Sequence, residues 1–207
     1  MLQIKNLTVT HLKDLKIIIK DFSLILNEGD IRLTLIGPEK ICIVGKNGVG
    51  KTTLIKEIAQ ELLKRNDIKA AYMPQNYEEL LDFELTPVEF LTQEGDKEED
   101  IRLCTYLGSM KYTADEMNHK IHELSGGQKA KLLFLKMSID GCNVLILDEP
   151  TRNLSPLSNP AIRKVLQCYP GAIISISHDR KYIEEVCTKV YSLNENGLQI
   201  EDQSTFI

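Results

Sequence analysis

The chain has 207 residues, 43% of them hydrophobic, and a formal net charge of −5. That apolar content suffices for one domain with a sizeable core, and the acidic balance excludes a protein that coats nucleic acid through many Lys and Arg contacts to phosphate. The apolar runs fall short of the roughly 20 residues that cross a bilayer, Met1-Leu2-Gln3-Ile4-Lys5 reads as strand-like alternation and not a signal peptide, and five scattered cysteines (Cys42, Cys104, Cys142, Cys168, Cys187) fit reduced thiols in a cytoplasmic protein.

In chain order, Leu2, Ile4 and Val9 suggest a first strand and Lys16 to Leu26 a second, with Ile31 to Ile36 alternating again before Gly37-Pro38-Glu39. These form an expected N-terminal antiparallel β layer. Ile41 to Val44 is a short apolar strand. Leu54, Ile58, Leu62 and Leu63 then recur at helical spacing, and Ile68 to Met73 returns as a strand ending at Pro74-Gln75, which completes a β-α-β unit. Thr86-Pro87 is an N-cap with Pro at the first helical position, Glu94 to Asp100 an acidic loop running into a charged helix start, and Thr113 to Glu116 a capping box. A cluster of short helices is expected between about 84 and 140. Ser125 starts a helix whose apolar face carries Ala130, Leu133, Phe134 and Met137. Asn143 to Leu147 and Ala172 to Ile176 read as buried strands with a helix from Ser158-Asn159-Pro160 between them, and Lys189 to Leu193 pairs with Gly197 to Glu201 at the end. The expected fold is α/β: one domain over 1–207 with a mainly parallel sheet, the β layer on one side, and a helical subdomain inserted at about 76–140.

The stretch Gly45-Lys46-Asn47-Gly48-Val49-Gly50-Lys51-Thr52-Thr53 follows the apolar strand directly, and Gly-x4-Gly-Lys-Thr in that place is a P-loop. Glycines allow consecutive backbone N–H groups to converge on phosphate oxygens, and the following helix adds its positive end. Lys51 would reach the β and γ phosphates of a nucleoside triphosphate, and Thr52 would offer its hydroxyl to Mg²⁺. Asp148-Glu149 closes another buried strand, at the carboxyl edge where open α/β sheets bind ligands. Asp148 suits Mg²⁺, and Glu149 suits deprotonation of the water that attacks the γ-phosphate. Leu124-Ser125-Gly126-Gly127-Gln128 sets a hydroxyl and two unencumbered amides at a helix N-terminus, a second ready-made phosphate site that one chain does not need.

Gly45 to Thr53, Gln75, Leu124 to Gln128, Val144 to Pro150 and Ser177-His178-Asp179 occur in an order that resembles the ATP-binding cassette (ABC) ATPases over nearly the whole chain. The resemblance implies a P-loop NTPase core of the ABC nucleotide-binding type and Mg²⁺-dependent conversion of ATP to ADP and phosphate. It implies head-to-tail pairing of two cassettes, so that Ser125, Gly126, Gly127 and Gln128 of one close on ATP held by the other. Gly45, Asn47, Gly48, Gly50, Lys51, Thr52, Thr53 and Gln75 would bind ATP, with Thr52, Gln75 and Asp148 at the metal and Lys51, Glu149 and His178 in catalysis. His178 matches the switch histidine at the γ-phosphate. Asp148 to Ser155 and Ser177 to Tyr182, with Gly37 to Lys40, look similar to the ABC-F branch, which carries two cassettes per chain, lacks membrane domains and acts on ribosomes. The partner implied is a second cassette, in a homodimer or a fused or heteromeric pair, together with the ribosome; the alternative is a nucleotide-binding subunit serving a separate transporter membrane subunit. Two departures stand out: Ser155 lies where most cassettes have Asp, and no Tyr, Phe or Trp near residues 10–14 is placed to stack on adenine, His11 being a weak substitute.

Overall fold

The computed structural model describes residues 3–5, 9–12, 16–19, 23–25, 38–93, 95–152, 154–156, 158–194 and 197–201. Its first four strands are β1 (Gln3–Lys5), β2 (Val9–Leu12), β3 (Lys16–Ile19) and β4 (Ser23–Ile25). β1 pairs with β4 and β2 with β3, both antiparallel, and the two pairings keep a single register. The antiparallel β layer expected at the N-terminus is present in this form. The strand expected over 31–36 lies outside the described residues, as does the side chain of His11.

The chain divides into two compact units, one made of 1–75, 142–152 and 163–207, the other of 76–141 and 153–162. The first is built on a six-stranded sheet of β5 (Lys40–Val44), β6 (Ala70–Met73), β7 (Val144–Asp148), β8 (Ala172–Ile176), β9 (Lys189–Asn194) and β10 (Gly197–Glu201), in the order β10-β9-β5-β8-β7-β6. All neighbours are parallel except the terminal β9–β10 pair. This is the mainly parallel α/β sheet that the apolar runs predict.

Period-two alternation explains how the sheet is filled. Ile41 and Ile43, Val144 and Ile146, and Ala172, Ile174 and Ile176 share one buried cluster with Leu54, Ile55, Ile58, Ala59 and Leu62 of helix α1 (Lys51–Leu63). The residues between them, Cys42, Leu145, Leu147 and Ile173, are equally buried, so both faces of the sheet are covered. Each fully buried aliphatic side chain contributes about 1.5–3 kcal/mol. The strands are therefore held in a register that a one-residue slip would invert.

The second unit is helical: α2 (Pro87–Leu91), α3 (Lys97–Ser109), α4 (Ala114–Asn118) and α5 (Gly126–Ile139), with 3-10 turns at Tyr77–Leu80 and Ile121–Glu123. Capping sets their starts. Thr86, Thr113 and Ser125 each close a reciprocal capping box with Glu89, Glu116 and Gln128, and Asp96 caps α3 alone. α2 packs against α3, α4 and α5. Two further helices, α6 (Asn159–Cys168) and α7 (Arg180–Val186), follow β7 and β8.

Candidate active site

The topology puts the chemistry at one edge. β5, β7 and β8 are parallel, so the loop after β5, Asp148 and Glu149 after β7, and Ser177-His178 after β8 emerge at the same ends of adjacent strands. Asp148 pairs with Ile176, and the Glu149 N–H donates to the Ile176 carbonyl at 3.0 Å. This brings Glu149 beside His178.

The loop 45–50 is shaped by three glycines at positive φ: Gly45 (153°), Gly48 (81°) and Gly50 (99°). At Gly45 a Cβ would stand 2.5 Å from the Leu193 carbonyl oxygen of β9, so the loop is threaded against that strand where only glycine fits. Gly50 starts α1 with no side-chain cap, which leaves the first amides of the helix available to an acceptor from outside the chain. Lys51 folds back into the loop. Its Nζ donates to the carbonyls of Gly45 (2.8 Å) and Lys46 (2.9 Å), and the residue is 8% exposed. A hollow of about 870 Å³ opens between residues 45–49 and Ser192, Leu193 and Asn194, a volume in the range of small-molecule sites.

Asp148 is buried at 2% exposure. The Thr52 hydroxyl lies beside its carboxylate, and Oδ1 has no hydrogen-bond partner. Burial raises its pKa, opposed by the Thr52 hydroxyl and by the charges of Lys56, Lys51 and Arg152. A carboxylate oxygen held dry beside a hydroxyl fits a hard cation with oxygen ligands. The donor set thus suits Mg²⁺.

Glu149 has φ 55°, an unusual conformation for a residue with a side chain. It costs about 1–3 kcal/mol and aims the carboxylate at the next strand end. Oε1 lies 3.6 Å from His178 Nε2, and Oε2 accepts from the His178 N–H at 3.4 Å. Burial raises the Glu149 pKa, partly offset by His178. His178 itself is half exposed, with its ring open to an incoming ligand.

Gln75 follows β6. Its amide abuts the Arg152 guanidinium, and in the orientation assigned because it pairs acceptor with donors the amide oxygen accepts from Arg152 Nε at 3.1 Å and from Nη1. Sequence reasoning singled out Gln75 but not Arg152, which the stretch Asp148 to Ser155 contains without any local sign of its contact.

Ser125 to Gln128 lies in the second unit. Gln128 Oε1 accepts from the Ser125 N–H and hydroxyl, both at 2.8 Å, and the Ser125 oxygen receives the Gln128 N–H at 3.4 Å. Two buried tyrosines that the sequence did not mark fix this turn: the Tyr77 hydroxyl donates to the Gly126 carbonyl at 3.0 Å and that of Tyr112 to the Gln128 carbonyl. At Gly127 any Cβ would overlap the Ser158 side chain. Ser158 in turn bonds through its hydroxyl to that of Ser155 at 3.0 Å.

Comparison with known proteins matches residues 29–152 to the profile described as ABC transporter. The chain belongs to the ABC transporter family. This cassette is 32% identical over 169 residues to ABC transporter F family member 5 of Arabidopsis thaliana, covering 78% of the chain and 24% of that protein. It is likewise 32% identical over 168 residues to ATP-binding cassette sub-family F member 3 of Pongo abelii, covering 77% and 23%. It thus spans about a quarter of the length of these relatives. Its fold resembles the dimeric post-hydrolysis structure of the ATP-binding cassette MJ0796 bound to ADP and Pi, with TM-score 0.69, 18% identity, and coverage of 98% and 99%. The cassette is similar to F-branch members, and among its described residues no helix is long and apolar enough to cross a membrane.

Proposed function

We propose that the cassette binds and hydrolyses Mg²⁺·ATP and does so as one half of a head-to-tail pair. The observation that carries this reading is the presence of two phosphate-type sites in one chain: the glycine-shaped loop with Lys51 in the first unit and the capped Ser125 turn in the second. The F-branch likeness and the dimeric structural neighbour support it.

On this reading ATP phosphates replace the loop carbonyls around Lys51 Nζ, and Gly45, Asn47, Gly48, Gly50, Lys51, Thr52 and Thr53 cradle them. Thr52, Asp148 and Gln75 would hold Mg²⁺, which would neutralise phosphate charge when bound. Glu149 takes a proton from water as its oxygen attacks the γ-phosphorus and the bond to the β-phosphate oxygen breaks; ADP and inorganic phosphate result. Removal of water from the Glu149 carboxylate makes it a stronger base than a solvated glutamate. His178 orients the γ-phosphate beside it. Ser125, Gly126, Gly127 and Gln128 of the second cassette complete the enclosure.

Glu149→Gln keeps the size and removes the base, so ATP affinity by calorimetry should stay within about twofold while turnover falls by at least about a hundredfold. Turnover near wild type would contradict the assignment. By its F-branch likeness the pair acts on the ribosome in the cytoplasm, and ATP-dependent co-sedimentation with ribosomes is expected; co-purification with a membrane subunit instead would favour the transporter role.

A further inference from the structure

We propose that Arg152 is a positioning residue for Gln75, whose guanidinium holds the amide oxygen that the metal site requires and must release it when the metal binds. The inference rests on the reading of Gln75 as a metal ligand. Gln75 is half-buried at the end of its segment and accepts from both Nε and Nη1 of Arg152 through one oxygen. A carboxamide oxygen engaged by a planar cation is electrostatically closed to a second cation, because two positive charges sharing one acceptor repel at contact distance. The Arg152 backbone is tied to the catalytic turn, its N–H donating to the Glu149 carbonyl at 3.1 Å. The guanidinium charge also acts on the carboxylates of Asp148 and Glu149. One side chain therefore bridges the turn after β7 and the residue after β6.

Mn²⁺ as an electron-paramagnetic probe, titrated into protein saturated with adenylyl-imidodiphosphate, tests this without turnover. Wild type, Arg152→Ala, Gln75→Ala and the double variant form a cycle. Arg152→Ala should tighten Mn²⁺ about fivefold, at the lower end of coupling between linked sites, and most of that gain should vanish in the Gln75→Ala background. Because Arg152 is exposed, its removal leaves the fold intact, which circular dichroism verifies. An equal gain in both backgrounds would reduce Arg152 to a distant charge and overturn the inference, as would no gain. If Gln75→Ala alone leaves Mn²⁺ affinity unchanged, the ligand role of Gln75 falls and the inference with it; if Gln75→Ala weakens Mn²⁺ but Arg152→Ala does nothing, only the inference falls.

Discussion

Two adjacent carboxylates at the end of β7 have been given different surroundings. Asp148 is dry, flanked by the Thr52 hydroxyl and left with one bare oxygen; Glu149 is turned by its positive φ toward His178. Burial raises both pKa values above those of ordinary carboxyls. Their ionised forms are thus disfavoured in the folded chain. Their contribution to stability is fully present below the unfolded-state pKa and is lost as pH rises through the folded one, so at neutral pH both carboxylates are held at a cost that serves the site. A general base works ionised. Turnover should accordingly fall with decreasing pH along a limb governed by the raised Glu149 pKa, at higher pH than a solvated glutamate would set. The pH profile of kcat measures this, and a limb in the ordinary carboxylate range would exclude a dry Glu149 as the base.

At the scale of elements, the loop after β5 depends on β9 as much as on its own glycines. Gly45→Ala would press a methyl group on the Leu193 carbonyl of β9, whose backbone cannot yield cheaply, whereas Gly48 has no atom within 4 Å of a Cβ. The first substitution should cost about 2–3 kcal/mol and the second about 1–2 kcal/mol for its positive φ alone. In a domain of this size that is a difference of a few degrees in melting temperature, readable by calorimetry. Equal melting temperatures would show that the close approach to β9 is not what demands glycine at 45. The same contrast explains what the sequence made legible. Apolar runs, capping boxes and the glycine-lysine-threonine loop are local signals, and the parallel sheet, the N-terminal pairing and the helix starts at Pro87, Ala114 and Gly126 follow from them. Contacts made only by folding left no such trace: Leu193 against Gly45, Tyr77 and Tyr112 on the carbonyls of the Ser125 turn, Ser158 against Gly127, and Arg152 on Gln75. Each joins residues from separate elements, and neither periodicity nor a spaced motif encodes that pairing.

For the whole molecule, the proposal is that ATP joins two cassettes. Converting a pair that is 1% closed into one that is 99% closed requires about 5.5 kcal/mol of differential binding. Hydrogen bonds to charged groups contribute roughly 1.5–3 kcal/mol each, so a few phosphate contacts from the Ser125 turn are sufficient. Ser155 shares a hydroxyl–hydroxyl hydrogen bond with Ser158, which packs on Gly127 of that same turn, so the residue that differs from the Asp of most cassettes is tied here to the proposed second half of the site. The most direct test is sedimentation velocity of Glu149→Gln with saturating Mg²⁺·ATP. The account predicts a monomer without nucleotide and a dimer with ATP that Ser125→Glu abolishes; a chain that binds ATP yet remains monomeric at every concentration would contradict it.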